Sequence, residues 1–289
     1  MFLRALLSDL SIAFANVYSG WILWNLFLAF VPLFLSYLLF RRQRLSKSGI
    51  WLSLIFMGAI GVLGVWPRIP RIMTAQMQLI SALSEGNRLA QLKLVWWIAL
   101  GLITLVMSTF LFNREKSRRT VLWWLGLVCF ISFLPNAPYV LTDIIHLIRA
   151  TSSGLIRTWV VALVFIPIHA AAIIIGFEAY VLSILNQARY LKQKGNERFI
   201  LLTELLIHAL SAMGIYLGRF ARLNSWDLAT DPASVVATTL NTLTTKRPAA
   251  VVFVTFIILA VLYGAMKEIT LGIKLRMYYR DRGIDALDL

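Results

Sequence analysis

An all-α, polytopic integral membrane protein is the fold class this sequence predicts, and three observations predict it. Apolar residues make up 60% of the 289-residue chain and charged residues 14%, against roughly 45–50% and about 25% in soluble domains. The apolar residues gather in seven runs, each near the ~20 helical residues that a hydrocarbon core requires. The basic residues stand mainly at the ends of those runs. In a soluble chain a net charge of +15 would point to nucleic acid. Without a soluble basic domain, the charge is better assigned to membrane topology and anionic lipid, and no nucleic-acid partner is expected. The single cysteine, Cys129, excludes an intrachain disulfide and a multi-cysteine metal site.

The whole chain, 1–289, reads as one transmembrane domain. Residues 1–17 carry Arg4 and Asp9 and show no good small-residue cleavage site, so they read as a retained interfacial segment. Spans are predicted at about 18–40, 50–66, 94–112, 121–142, 156–182, 200–218 and 249–267. The second is short and the fifth long enough to tilt. Pro32, Pro135, Pro138 and Pro167 lie within spans and are kink candidates.

Two connecting loops carry helical patterns of their own. Met73, Met77, Ile80 and Leu83 share one helical face, and Gly86-Asn87 offers a stop. Asp231-Pro232 reads as an N-cap followed by proline at the first helical position, with Val236, Leu240 and Leu243 as the apolar stripe. Both segments fit the membrane surface, or packing over the span ends. Residues 268–289 form a basic cytoplasmic tail.

Orientation follows from lysine and arginine. With the N-terminus outside, the inner loops hold Arg41, Arg42, Arg44 and Lys47, then Arg114, Lys116, Arg118 and Arg119, then Arg189, Lys192, Lys194 and Arg198. The tail adds Lys267, Lys274, Arg276, Arg280 and Arg282. The positive-inside rule therefore favours N-out, C-in. The expected residence is a bacterial cytoplasmic (inner) membrane.

Three motifs now stand out: Trp24-Asn-Leu-Phe-Leu-Ala-Phe-Val-Pro32, Phe133-Leu-Pro-Asn-Ala-Pro-Tyr-Val-Leu-Thr-Asp-Ile-Ile-His146, and Gly214-Ile-Tyr-Leu-Gly-Arg-Phe-Ala-Arg-Leu-Asn-Ser-Trp-Asp227. Together they resemble the membrane family called domain of unknown function 1361. The likeness covers the first span and roughly residues 121–232, the main family-like region. The spacing between the first two motifs is longer than the resemblance implies, which leaves room for an inserted pair of spans at 50–112. The resemblance implies a multi-span helical fold and no particular reaction.

The middle motif carries the first site candidate. From Val121 to Leu134 a helix rises about 21 Å, so the Pro135–Pro138 break falls inside the outer leaflet. Irregular backbone at that depth needs partners from protein or water. Asp143 and His146, three apart, suit a carboxylate that orients an imidazole, as an acid/base or ion-handling pair with Asn136 beside it. Helix capping and an interfacial histidine explain the same residues without chemistry.

Arg219, Arg222, Asn224, Trp226 and Asp227 lie on the same predicted face. Such a set can hold a phosphate or carboxylate by fork geometry under an aromatic lid. Snorkelling arginines and an aromatic belt are the plainer account, and a structural ion pair from Arg219 or Arg222 to Asp143 is a third. Glu178, Glu204 and His208 are the other polar residues within spans, readable as an inner proton relay, although Glu204 lies near the interface. Asn25 can hydrogen-bond across helices.

No metal is expected. His146, His169 and His208 are the only histidines, and unless the Pro135–Pro138 segment re-enters, His146 lies on the order of 15 Å along the helical rise from the other two, whereas zinc ligands must meet at ~2.0–2.1 Å. The sequence names no cofactor. Three classes remain open: an enzyme acting on a lipid or lipid-linked substrate, a proton- or ion-coupled transporter or channel, and an assembly factor of a membrane complex. The expected partners are the bilayer and an anionic or lipid-like ligand.

Overall fold

Each apolar run becomes a helix. The computed structural model describes residues 8, 21–41, 46–113, 119–152, 157–223 and 227–283, and these hold helices and turns with no strand. The interfacial segment expected at 1–17 lies, apart from Ser8, outside the described residues. In order, α1 is Trp21–Ser36, α2 Lys47–Val65, α3 Ile69–Ser84, α4 Arg88–Asn113 and α5 Val121–Phe133. They are followed by α6 Asn136–Tyr139, α7 Ile144–Ser152, α8 Ile166–Gln193, α9 Ile200–Arg219, α10 Pro232–Thr244 and α11 Lys246–Arg280. Among the described residues, seven helical stretches are long and apolar enough to cross a membrane.

Local signals set the ends. Ser46 accepts the Gly49 amide at 3.0 Å and opens α2, and Thr120 caps α5 through the Trp123 amide. Gly86, at φ +74°, ends α3, and Asn87 then caps α4 by accepting the Leu89 amide at 2.9 Å. Asp231 caps α10, accepting the Ser234 amide at 3.2 Å ahead of Pro232. A free side-chain oxygen at these points satisfies an amide that the first turn leaves without a partner.

The first span lies at the centre. It packs against α2, α5, α6 and α8, while α9 pairs with α11. Gly64 brings α2 closest: a Cβ there would sit 2.6 Å from the Trp24 amide nitrogen, so only glycine lets the backbones meet. Pro32 loosens α1, and a wider turn follows at Tyr37–Arg41. The Leu39 carbonyl within that turn accepts the Trp123 indole N–H at 3.3 Å. Asn186 of α8 donates to Ser36 at 2.9 Å and accepts from Arg41 at 3.2 Å. A polar tie thus fastens α1 to α8 at the basic end of the bundle.

The two amphipathic helices leave apolar faces uncovered. Met73, Met77 and Ile80 of α3 are exposed, as are Val236, Leu240 and Leu243 of α10. The face of α10 that packs is the neighbouring one, with Val235 and Thr242 buried. The last helix runs past the predicted span end at residue 267 to Arg280.

Candidate functional site

The three motifs converge where the fourth span breaks. Pro135 and Pro138 have no amide to donate, so α5 cannot continue unchanged. The chain stays helical by changing pitch, through α6 and a tighter turn at Val140–Asp143 before α7. The Leu134 carbonyl, which the Pro138 amide would have served, accepts from the Ala137 amide at 3.1 Å, and side chains bind carbonyls of the altered turns: Asn136 donates to Phe133 at 2.9 Å and Thr142 to Tyr139 at 2.7 Å.

Glycines make room for this segment. A Cβ on Gly214 would lie 2.6 Å from Pro135, one on Gly218 3.1 Å from the Tyr139 ring, and one on Gly176 3.0 Å from Val140. Gly214 and Gly218 are four apart on α9, matching Pro135 and Tyr139, so small residues on one helix receive the other's bulk. The middle and last motifs are the two halves of one packing surface.

Asp143 sits at the centre, 1% exposed. Its Oδ2 accepts from Asn25 of the first motif at 2.7 Å, and its Oδ1 from Arg219 of the last motif at 2.8 Å. Arg219 also donates through Nε to Thr142 at 2.9 Å and lies over the Tyr139 ring at 4.4 Å. The structural ion pair with Arg219, open in the sequence, is the arrangement observed.

The other expected residues are more scattered. His146 stacks on Trp21, ring centroids 4.2 Å apart, and His169 packs on the same indole at 5.5 Å. The expected offset of about 15 Å between these two histidines therefore fails: both rings lie against one indole. Arg222 is exposed at φ +59°, a left-handed turn after α9 from which the Leu223 amide returns to the Leu217 carbonyl at 3.0 Å. Asp227 opens a short helical turn, Asp227–Thr230. Asn224 and Trp226 lie outside the described residues.

Beside the Asp143 cluster opens a cavity of about 960 Å³, lined mainly by apolar side chains of α1, α4, α5, α9 and α10. Asn25, Arg68, Ser132, Asn136, Tyr139 and Thr239 supply its polar groups. Sequence reasoning missed Arg68 and Tyr139. Arg68 belongs to none of the three motifs, and Tyr139 stands within the middle one without a charge or spacing to single it out.

A second polar cluster ties the last helix to the bundle. Glu204 accepts from Tyr263 at 2.7 Å and from Lys267 at 2.8 Å. Glu178 accepts from Thr270 at 3.0 Å. His208 shares a 2.8 Å hydrogen bond with the Tyr180 hydroxyl, which donates to Ser211 at 3.3 Å, and the His208 ring lies 4.8 Å from that of Tyr263. Glu204 and His208 thus meet through Tyr263, whereas Glu178 has its own contact one turn further along α11. Among the described residues no group of three or more His, Cys, Asp or Glu could hold a metal.

The family profile described as "Protein of unknown function (DUF1361)" matches residues 96–261, more than half of the chain. The chain belongs to this family. No curated protein matches the chain, and no solved structure does. The DUF1361 match takes in the middle and last motifs and begins within α4. Asn25, which reaches Asp143 from α1, stands before it.

Proposed function

We propose that this membrane protein holds a lipid or lipid-linked substrate in the cavity beside Asp143 and acts on it there. The observation that carries the reading is the cavity itself: about 960 Å³ with mostly apolar walls and a few polar groups. Ligand sites have that character, with apolar area holding the molecule and sparse polar groups orienting it. In the N-out orientation the cavity opens towards the outer leaflet, where lipid chains can enter from the side.

Asp143 works in this reading as a positioning residue. Both its oxygens are engaged, and what it positions are Asn25 and, through Arg219, Tyr139, both of which line the cavity. Asn136 lines it directly. His146, on Trp21, is the imidazole nearest in sequence for proton transfer. Arg219 orients Tyr139 rather than the ligand.

The test is comparative lipidomics of a strain lacking the gene. It carries the wild-type chain, Asp143→Asn, Tyr139→Phe or an empty vector, with membrane insertion checked for each. A lipid that accumulates in the empty-vector and variant strains supports the reading and identifies the substrate class. An unchanged lipid profile sinks it.

A second reading, proton- or ion-coupled transport, rests on one observation: Glu204, Tyr263, Lys267, His208 and Tyr180 form a continuous polar and aromatic path between spans. Buried ionisable groups of this kind often mark ion pathways. It predicts pH-dependent flux in liposomes that Glu204→Gln removes.

A further inference from the structure

The polar groups of the cavity differ in what they still have to offer. Ser132 donates to the Val128 carbonyl and Thr239 to the Val235 carbonyl. Asn25 gives an amide N–H to Asp143, and Asn136 gives one to Phe133. Arg68 is different. One guanidinium N–H goes to the Gly64 carbonyl at 2.6 Å, and the group lies 5.6 Å from the Trp24 ring. No carboxylate pairs with it among the described residues; the buried pairs are Arg219 with Asp143 and Lys267 with Glu204. Tyr139 contributes a hydroxyl that forms no hydrogen bond among the described residues, while Arg219 over its ring is already neutralised by Asp143.

The unused capacity of a largely apolar chamber is therefore one cation and hydrogen-bond donors. A half-buried arginine without a counter-ion is complementary to an oxyanion, which it can grip by paired N–H contacts. The apolar walls require that the anion carry hydrocarbon. Both conditions together describe a phosphate on acyl chains.

We propose that Arg68 anchors the phosphate of an anionic membrane phospholipid whose acyl chains fill the apolar part of the cavity. This rests on the reading that the cavity holds a lipid, and it names the lipid's class. Arg68 stands where the Trp66–Arg68 turn interrupts α2 and α3, and its side chain lines the chamber. Tyr139, on the glycine-seated segment that also lines the cavity, supplies a second donor.

The test uses the full-length chain purified in mild detergent and native mass spectrometry with added phosphatidylglycerol, phosphatidylcholine or diacylglycerol. Wild type is expected to retain phosphatidylglycerol about tenfold better than phosphatidylcholine, whose phosphate is the same but whose choline ammonium is repelled by the cation of Arg68, an effect on the scale of one charge-assisted contact. Arg68→Gln should bring the two lipids level, Arg68→Lys should keep part of the preference, and the exposed neighbour change Arg71→Gln should leave it intact. The wild-type chain also gives a reading that needs no variant: phosphatidylglycerol displaces bound phosphatidylcholine, and diacylglycerol does not. A preference that survives Arg68→Gln, or that Arg71→Gln removes equally, overturns the assignment to Arg68 while leaving a lipid cavity standing. Displacement by millimolar inorganic phosphate would reassign the site to the free anion. Retention of no lipid at all would overturn both this inference and the reading beneath it.

Discussion

Asp143 and Arg219, 76 residues apart in sequence, meet at 2.8 Å inside the bundle, and Asn25 closes the other side of the carboxylate. Removing one member of a buried pair leaves the other charge uncompensated, at a cost of roughly 3–5 kcal/mol. Asp143→Asn and Arg219→Gln are each expected to lower thermal stability in detergent by that order. The double variant should lose less than the sum, since neither charge is then stranded. Additive losses in a thermal-unfolding cycle would show that the two residues do not act as a pair.

The glycine seat makes a steric prediction. Gly214→Ala places a methyl 2.6 Å from Pro135, and Gly64→Ala places one 2.6 Å from the Trp24 backbone. Neither proline ring nor backbone can give way cheaply, so each change is expected to cost about 1–3 kcal/mol. Gly264, whose added Cβ would meet nothing within 4 Å, is the comparison: Gly264→Ala should be neutral or slightly stabilising. Size-exclusion profiles and melting of the three variants check the order.

These contacts also mark what was legible in the sequence. The seven spans were, because run length against bilayer thickness is a strong constraint. The break at Pro135–Pro138 was legible too, and so were the stop at Gly86-Asn87 and the cap Asp231, whose signals are local. The partners of Asp143 were not uniquely legible, because Arg219 could equally snorkel or bind an anion, and hydropathy carries no register between helices. Arg68 was hidden for the same reason: its place depends on how α2 meets α1 at Gly64. The extension of α11 to Arg280 escaped because Ile269, Leu271, Ile273 and Leu275 alternate with residues that dilute the apolar average. On α10 the stripe Val236, Leu240 and Leu243 was legible as an apolar face; whether it met lipid or protein was not, since both favour apolar side chains, and the structure leaves it exposed with Val235 and Thr242 on the buried side.

Arg222 tests whether the last motif is built for backbone or for ligand. Its φ of +59° suits glycine and strains an ordinary side chain by about 1 kcal/mol or more. Arg222→Gly is therefore expected to match or exceed wild-type stability, and the β-branched change Arg222→Val to fall below it. If Arg222 serves only the turn, Arg222→Gly also keeps full function in the lipidomic assay. Loss of function in a variant that melts normally would return Arg222 to the ligand-binding set.

The last helix is held by contacts of unequal strength. Glu204 has an ion pair and a tyrosine hydroxyl, while the contact of Glu178 is with the Thr270 hydroxyl. Tyr263→Phe should cost about 1 kcal/mol, the worth of one neutral hydrogen bond. Glu204→Gln should cost more than Glu178→Gln, since only the former strands a lysine. Protease sensitivity of the α10–α11 connection reports the docking of α11, and equal sensitivity in the two glutamine variants would contradict the ranking.

Topology is the prediction on which the placement of the cavity depends. Arg41 lies at the end of α1 opposite Asn25, and the α8–α9 connection lies at that same basic end through Tyr190, which accepts from Arg119 at 3.1 Å. The turn at Glu85, between α3 and α4, stands at the other end, because α4 returns to the basic end at Phe112, against Trp51. Positive charge near span ends stays in the cytoplasm, so the basic end should be inside and Glu85 outside. In a Cys129→Ala background, Glu85→Cys in intact cells should react with a membrane-impermeant maleimide. Gln193→Cys should react only after the membrane is opened. The reverse pattern would turn the protein over and bring the cavity, with Arg68 and Tyr139, to the cytoplasmic leaflet. The lipid reading would survive that result, but its substrate would then have to be one available from the inside.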